Sequence, residues 1–432
     1  MIINFIRSYL YLNRNFFFDT NFSWHFKLVC IFLILIPITL VTGPFLPDLF
    51  LTIIAIYFLV ISIIYKLAKF YKTKLVIFFS FFYLCILFRG IFSDYPFESL
   101  LNYNGPIFYF RYLFFVLGMQ YLLTTYPNLI KIFSLNLLLI LTFTILDGYL
   151  QWSTGSNLFG FQSPSTRVTG IFNDEEILGH FLSHIVPLSI GLIVYVYGSK
   201  KKIIFLCMLL LVISEILIFI TNDRAGFLKI FQFTLLLIFL SNDFKILRLI
   251  SFGFSIVAIA LILSNSNNSK ERYQGTMKDI TSTAVPYMPW TPHHDKQFSI
   301  AIDMFKENPI FGKGPQSFRI KCIKTPKYID GCTNHPHNYY FQTLGELGII
   351  GIIFLFYGFF YVTTILFKQF IYVWFSRTKK NKLPDHLVIL FSLIFIYLWP
   401  LIPHQSFYNN WLNVIIFLPF SFILFFINNY KS

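Results

Sequence analysis

Apolar residues along this chain do not alternate with polar ones; they run. About twelve stretches, near 28–45, 48–65, 75–92, 107–125, 132–150, 171–197, 203–221, 225–240, 248–264, 339–367, 386–402 and 411–428, are long enough to cross a bilayer. Such runs far exceed barrel strands, and backbone in lipid must satisfy its own hydrogen bonds. The pattern therefore predicts an all-α polytopic membrane protein of about 12 transmembrane helices. One large hydrophilic interruption, 265–338, divides the chain into helices 1–9 over 1–264, a loop, and helices 10–12 over 339–432.

Within that loop, Phe298, Ile300, Ala301, Ile302, Met304 and Phe305 predict an amphipathic helix between Asp295 and Glu307, ended by Asn308-Pro309 and expected to lie along the membrane surface. Gly312-Lys313-Gly314-Pro315 then predicts a turn. A basic stretch of Arg319, Lys321, Lys324 and Lys327 leads to His337, which stands just ahead of the tenth apolar run.

Composition supports the membrane reading: 56% of residues are hydrophobic and the mean hydropathy is +0.67. The 57 Phe and 26 Tyr look extreme, but Ile, Asn and Lys are inflated with them, which points to compositional drift rather than a stacking design. The net charge of +15 sits beside apolar runs and not in a basic domain interleaved with aromatics, so it argues against a nucleic-acid partner. Lysines and arginines crowd the segments on one side of the helices, as in the 66–74 and 200–202 clusters. The short loops of the other side carry only Arg167 and Arg224. The positive-inside rule then predicts both termini in the cytoplasm and the long loop outside, with the first span acting as an uncleaved anchor.

Cys30, Cys85 and Cys207 fall in spans, as small apolar fillers, while Cys322 and Cys332 share the outer loop, where an oxidising compartment would permit a disulfide restraining the approach to His337. No Cys-x-x-Cys or zinc-type spacing occurs. Inside the spans, Arg89, Arg111, Asp147, Glu215 and Lys229 are costly unless paired or facing a cavity. Arg89 and Lys229 are expected to snorkel, Arg111 to reach the cavity served by Arg167, and Asp147 and Glu215 to be partners for such cations.

Arg167-Val-Thr-Gly170-Ile-Phe172-Asn173 with Leu178-Gly179-His180, Asn222-Asp223-Arg224-Ala-Gly-Phe, Asn308-Pro309-Ile-Phe-Gly312-Lys-Gly314, and His337-Asn338 followed after nine residues by Gly348-x2-Gly351 together resemble the O-antigen ligase and polymerase superfamily. The resemblance is dense from Arg167 to Gly351. It implies a glycosyltransferase C type fold in the bacterial inner membrane and a reaction on the periplasmic side. There a glycan leaves undecaprenyl pyrophosphate for a sugar hydroxyl, on lipid A-core or on another lipid-linked glycan, with inversion.

On that resemblance Arg167 and Arg224 bind the pyrophosphate, which suits guanidinium, always charged and able to pair with phosphate oxygens. The resemblance also makes His337 the catalytic base. From their positions in the sequence, Asn338 is expected to orient it or cap the helix that follows, Arg272 and Arg319 to be further phosphate contacts, and Arg111 to bind substrate in the cavity served by Arg167. Gly345, Gly348 and Gly351 are expected to admit another helix. No cofactor is implied. Glu176, His180 and His184 recur every four residues and could line one face as metal ligands, but the resemblance implies that arginines do the ion's work. Where relatives carry Asn-Pro-Asn this chain has Asn173-Asp174-Glu175-Glu176, which leaves metal assistance open. Ligation is favoured over repeat-unit polymerisation by the His-Asn spacing and the single late loop. A secondary transporter is the alternative from another class, and it predicts repeat symmetry and a midplane site.

Overall fold

The structure is a computed structural model and describes residues 22–102, 105–163, 167–265, 267–282, 290–325, 332–376 and 382–431. Its helices are α1 Trp24–Thr39, α2 Phe45–Ile64, α3 Lys74–Ile91, α4 Pro96–Leu100, α5 Phe110–Thr125, α6 Leu129–Thr154, α7 Leu178–Tyr197, α8 Lys201–Ile220, α9 Arg224–Leu240 and α10 Lys245–Asn265. There follow α11 Asn267–Thr281, α12 Pro292–Glu307, α13 Ser317–Lys324, α14 Tyr339–Trp374, α15 Asp385–Tyr397 and α16 Asn410–Lys431. Among the described residues nine helices are long and apolar enough to cross a membrane, while α1 and α15 are apolar but shorter. The chain is an all-α, multi-pass membrane protein.

Each predicted apolar run coincides with a helix, but several boundaries move: α1 ends at Thr39 rather than at 45, α14 runs on to Trp374 rather than 367, and two further shifts bear on the site. The run expected from 171 begins its helix at Leu178, because Gly170 and Asn173 take φ of 55° and 53°, in the left-handed region that ends regular winding. The run expected to 402 stops at Tyr397, so that residues 398–409 fold as a loop beneath His337.

Helix α7 forms the hub, buried along most of its length and packed against α6, α8, α9 and α15. Between helices in lipid there is no hydrophobic gain, so close fit and polar bridges hold the bundle. Gly179 and Gly226 supply the closest fit: a Cβ on Gly226 would stand 2.8 Å from the backbone of Gly179. This contact seats the start of α9, and hence Arg224, against the start of α7.

The buried charges have partners other than those expected. Glu215 accepts hydroxyl hydrogens from Thr234 and from Ser255, the latter at 2.5 Å, and so ties α8 to α9 and α10 rather than neutralising a cation. Asp147 accepts the Leu158 amide hydrogen at 2.9 Å and holds the loop after α6. Lys229 does not snorkel; it is 1% exposed and its Nζ stands 3.5 Å from Nδ1 of His180. Arg248 is buried in an ion pair with Asp385 at 3.3 Å.

Candidate active site

Two loops and two helix starts build the region around His337. The first loop, described over 155–163 and 167–170, carries Arg167 and is held by Gln151 of α6 and by its own Asn157. Gln151 Oε1 accepts the amide hydrogens of Thr169 at 2.8 Å and Gly170 at 2.7 Å, and Asn157 donates to the Gly170 carbonyl at 3.1 Å. Arg167 thereby reaches the carboxylate of Glu176, its ion-pair partner, and donates through Nε to the Thr221 carbonyl at 3.4 Å.

Thr221 immediately precedes the Asn222-Asp223-Arg224 turn. There Asn222 takes φ of 56° and Asp223 caps α9 by accepting the Gly226 amide hydrogen at 3.0 Å. Arg224, first residue of α9, donates to Thr276 of α11 at 2.8 Å. The structure therefore brings the 221–224 turn against Arg167.

The long loop closes over this turn. Helix α12 is entered by a capping box. Thr291 receives the main-chain N–H of the residue three on, and that residue, His294, accepts the Thr291 main-chain N–H at Nδ1, 3.1 Å away. The apolar face of α12 does not rest on lipid as expected. It packs on the protein, with Phe298 stacked on Phe341 at 4.0 Å and Ala301 against Gly345, and with Ile300, Met304, Phe318 and Cys322 in a small core. Cys322 and Cys332 form a disulfide, Cα atoms 5.3 Å apart, on the edge of that core.

Gly345 admits a second helix as expected, its open face meeting Ala301 of α12, whereas Gly348 has a different role. Gly348 interrupts α14 with φ 64°, ψ −157°, a conformation open essentially to glycine alone. The break frees backbone groups on both sides. The Gly345 and Glu346 carbonyls accept from the amides of Lys313 and Gly314 at 3.0 and 2.8 Å, and the amide of Ile349 donates to Pro309 at 2.9 Å. The Asn308–Gly314 turn is thus spliced into the broken helix. Cβ atoms on Gly348 or Gly312 would stand 2.5 Å from the Ile310 carbonyl oxygen and 2.4 Å from the Glu346 carbonyl carbon. Arg89 also donates to the Gly312 carbonyl, at 2.8 Å, so it braces this turn.

Asn338 caps α14. Its Oδ1 accepts the Tyr340 amide hydrogen at 2.9 Å and its Nδ2 donates to the Pro400 carbonyl at 2.8 Å. Just ahead of it, His337 adopts φ of 50°, and its carbonyl receives the His404 amide hydrogen at 2.7 Å. The His337 ring is half-buried, 4.2 Å from that of His335 and 6.0 Å from that of His294. Among the described residues no protein group hydrogen-bonds to either of its ring nitrogens. Burial first, then His293, hold its pKa below the ordinary histidine value. Burial, then the charges of His337, His293 and Arg224, push His294 down to about 4, and burial, then His337 and Arg319, push His335 to about 3. Arg224 is thus close enough to be felt at His294.

Arg319, on α13, bears on His335 and Glu346. Arg111 instead pairs with Asp48 at 2.8 Å and donates to Thr52 and Tyr112, joining α5 to α2. The side chain of Arg272 and the whole of Lys327 lie outside the described residues. Lys313 and Lys321 pair with Glu307 at 3.0 and 2.7 Å, and Lys324 sits over the Tyr95 ring. Among the described residues no group of three or more His, Cys, Asp or Glu side chains is arranged to hold a metal ion, and Glu176 is turned to Arg167.

Residues 206–356 match the family model described as O-antigen ligase, a stretch that runs from α8 through Arg224, the long loop, His337 and the Gly348 break. Over this segment the chain is similar to the O-antigen ligase family. No curated protein matches the chain. The match covers about a third of the sequence and begins after Arg167, whose place in the site therefore rests on the Thr221 contact. The match supports a glycosyltransferase-like enzyme of the ligase or polymerase type.

Sequence reasoning passed over His294, His335, His404, Gln151 and Thr221. For His294 a local signal existed: Thr291-Pro292 is a helix start, and the third helical residue of such a start caps the chain. The others serve the site through contacts distant in sequence.

Proposed function

We propose that this protein transfers a glycan from undecaprenyl pyrophosphate to a sugar hydroxyl at the periplasmic face of the bacterial inner membrane, joining O-antigen to lipid A-core. The observation that carries the reading is a half-buried imidazole, His337, with no hydrogen-bond partner on its ring among the described residues, whose neighbouring ring, His294, lies within the field of the Arg224 cation. The charge asymmetry of the loops supports the sidedness, with both termini cytoplasmic.

In this reading His337 takes the proton of the acceptor hydroxyl. The oxygen attacks the anomeric carbon from the face opposite the leaving group, the new glycosidic bond forms as the bond to the pyrophosphate breaks, and configuration inverts. Arg224 and Arg167 stabilise the charge that develops on the departing pyrophosphate. Arg319 adds positive potential from the far side of His335. Arg272 is proposed as a further phosphate contact from α11.

Transfer from a defined undecaprenyl pyrophosphate glycan to lipid A-core, with and without EDTA, tests the proposal. Wild type is expected to work in chelator, and Arg167→Ala, Arg224→Ala and His337→Ala to lose activity. Inhibition by chelator reversed by a divalent ion would overturn the arginine mechanism. Lengthening of lipid-linked repeats without any lipid A-core would replace ligation by polymerisation.

A further inference from the structure

The capping box of α12 does something unusual with its third residue. Nδ1 of His294 accepts the main-chain N–H of Thr291 at 3.1 Å and lies 3.0 Å from the Thr291 hydroxyl. A nitrogen that accepts an amide hydrogen carries no proton, so the neutral ring must hold its hydrogen on Nε2. The helix start thus fixes the tautomer, as an outer partner fixes the tautomer of a functional imidazole. The buried setting and the neighbouring His337, His293 and Arg224 also keep the ring neutral. Its position is held by a second contact, the ring of Phe298 at 6.0 Å, on the helix that Phe341 and Gly345 clamp to α14.

The Nε2–H that results has no acceptor among the described residues. The ring meets that of His337 edge to face at 6.0 Å and lies within the field of Arg224. A neutral donor locked in one tautomer, in ring contact with His337 and within the field of Arg224, suits an anionic oxygen.

We infer that His294 is a substrate-positioning residue whose Nε2–H donates a hydrogen bond to a diphosphate oxygen of the lipid-linked donor, beside the oxygens that Arg224 binds. The inference rests on the proposed transfer reaction and assigns it a residue. The hydrogen bond needs no proton transfer: the ring keeps its hydrogen throughout, and the acceptor proton goes to His337. Neutrality is an advantage here, since a donor without charge orients the diphosphate without holding the product as tightly as another cation would.

The capping role and the donor role separate by substitution. Glutamine and glutamate both accept the Thr291 N–H at this position of a capping box, but only glutamine also offers an N–H to the site. With purified full-length protein in detergent, the probes are undecaprenyl pyrophosphate for binding and its fluorescent glycan for transfer. His294→Gln is expected to stay within about 3-fold of wild type in both, and His294→Glu and His294→Ala to bind the diphosphate about 10-fold more weakly. The Glu variant is expected to keep the wild-type melting temperature, and the loss to appear mainly in KM for the donor. Equal behaviour of the Glu and Gln variants, or an Ala defect that follows stability alone, would show a capping residue only. His337→Ala serves as the control: if it is inactive while all three His294 variants match wild type, the positioning role falls and the reaction stands. If His337→Ala is active, the site assignment and this inference fall together.

Discussion

The main-chain N–H of His404 donates to the carbonyl of His337 at 2.7 Å, across sixty-seven positions of sequence. This bond pins His337 in a left-handed conformation, φ 50°, that a non-glycine residue adopts at a cost. With Asn338 bonded to Pro400 one residue on, the 398–409 loop becomes the floor that sets where the imidazole points. His337→Asn, a residue that tolerates this conformation, is expected to fold like wild type and lose about 10³-fold in kcat. His337→Val is expected to lose stability as well. Melting curves and transfer kinetics of the two variants check the distinction.

The pH dependence follows from the histidines. As a general base His337 must be neutral, and its pKa is held below the ordinary value by burial, so kcat/KM is expected to begin its fall on acidification below about pH 6.5. A rate profile with its acid limb above pH 7 would be inconsistent with this assignment.

Stability has its own acid limb. Unfolded histidines bind protons below about pH 6.5, whereas His294 and His335 in the fold wait until about 4 and 3. Between those values the unfolded chain holds more protons, so stability rises with pH and is lost as pH falls from about 6.5 towards 4. The loss is at most about 1.4 kcal/mol per pH unit per group, and less for His294, which keeps some solvent contact. Melting temperature measured from pH 7.5 to 5 is expected to fall, and less steeply in His335→Gln.

Arg167 is expected to resist conservative replacement. Its guanidinium meets the Glu176 carboxylate and the Thr221 carbonyl from separate nitrogens, a fork that an ammonium does not reproduce. Arg167→Lys is predicted to lose on the order of 10²-fold in transfer while melting within a few degrees of wild type. Full activity in the lysine variant would reduce Arg167 to a generic positive charge.

Gly348→Ala is predicted to be more damaging than Gly351→Ala. At Gly348 both the backbone conformation and a 2.5 Å approach to the Ile310 carbonyl oxygen oppose a side chain, at a cost of about 3 kcal/mol or more. At Gly351 the backbone is not left-handed, but Leu347 Cβ and Thr343 Cγ2 of its own helix would stand 2.4 and 2.6 Å from an added Cβ, so alanine there also costs stability, and the difference between the two variants rests on the Gly348 backbone and its contact with main chain. Thermal unfolding of both variants, with protease sensitivity of the long loop, is the measurement.

The helices were legible because membrane spans are written as long apolar runs, and α12 was legible from its periodicity. What α12 packs against was not: Phe298 meets Phe341 only because the Asn308–Gly314 turn folds the loop back, and nothing local encodes that register. His337, Arg224 and Gly348 were legible through a spacing shared with a family. The spacing did not reveal its cause, a helix broken to receive a turn. Arg111 shows the opposite limit, since a cation near a membrane face reads the same whether it faces a substrate or, as here, Asp48. Lys229 was misplaced because a long cationic side chain near a span end reads as snorkelling, whereas it is held inside beside His180.

The splice at Gly348 makes the His337 end of α14 intolerant of changes in length. Asn338 and the break are fixed separately, one to the Pro400 carbonyl and the other to the 309–314 turn. A single alanine added between them would rotate one anchor about 100° and slide it about 1.5 Å against the other. The stretch from Tyr339 to Leu347 therefore behaves as a ruler of fixed length, accepting exchanges of residue far more readily than an insertion or a deletion.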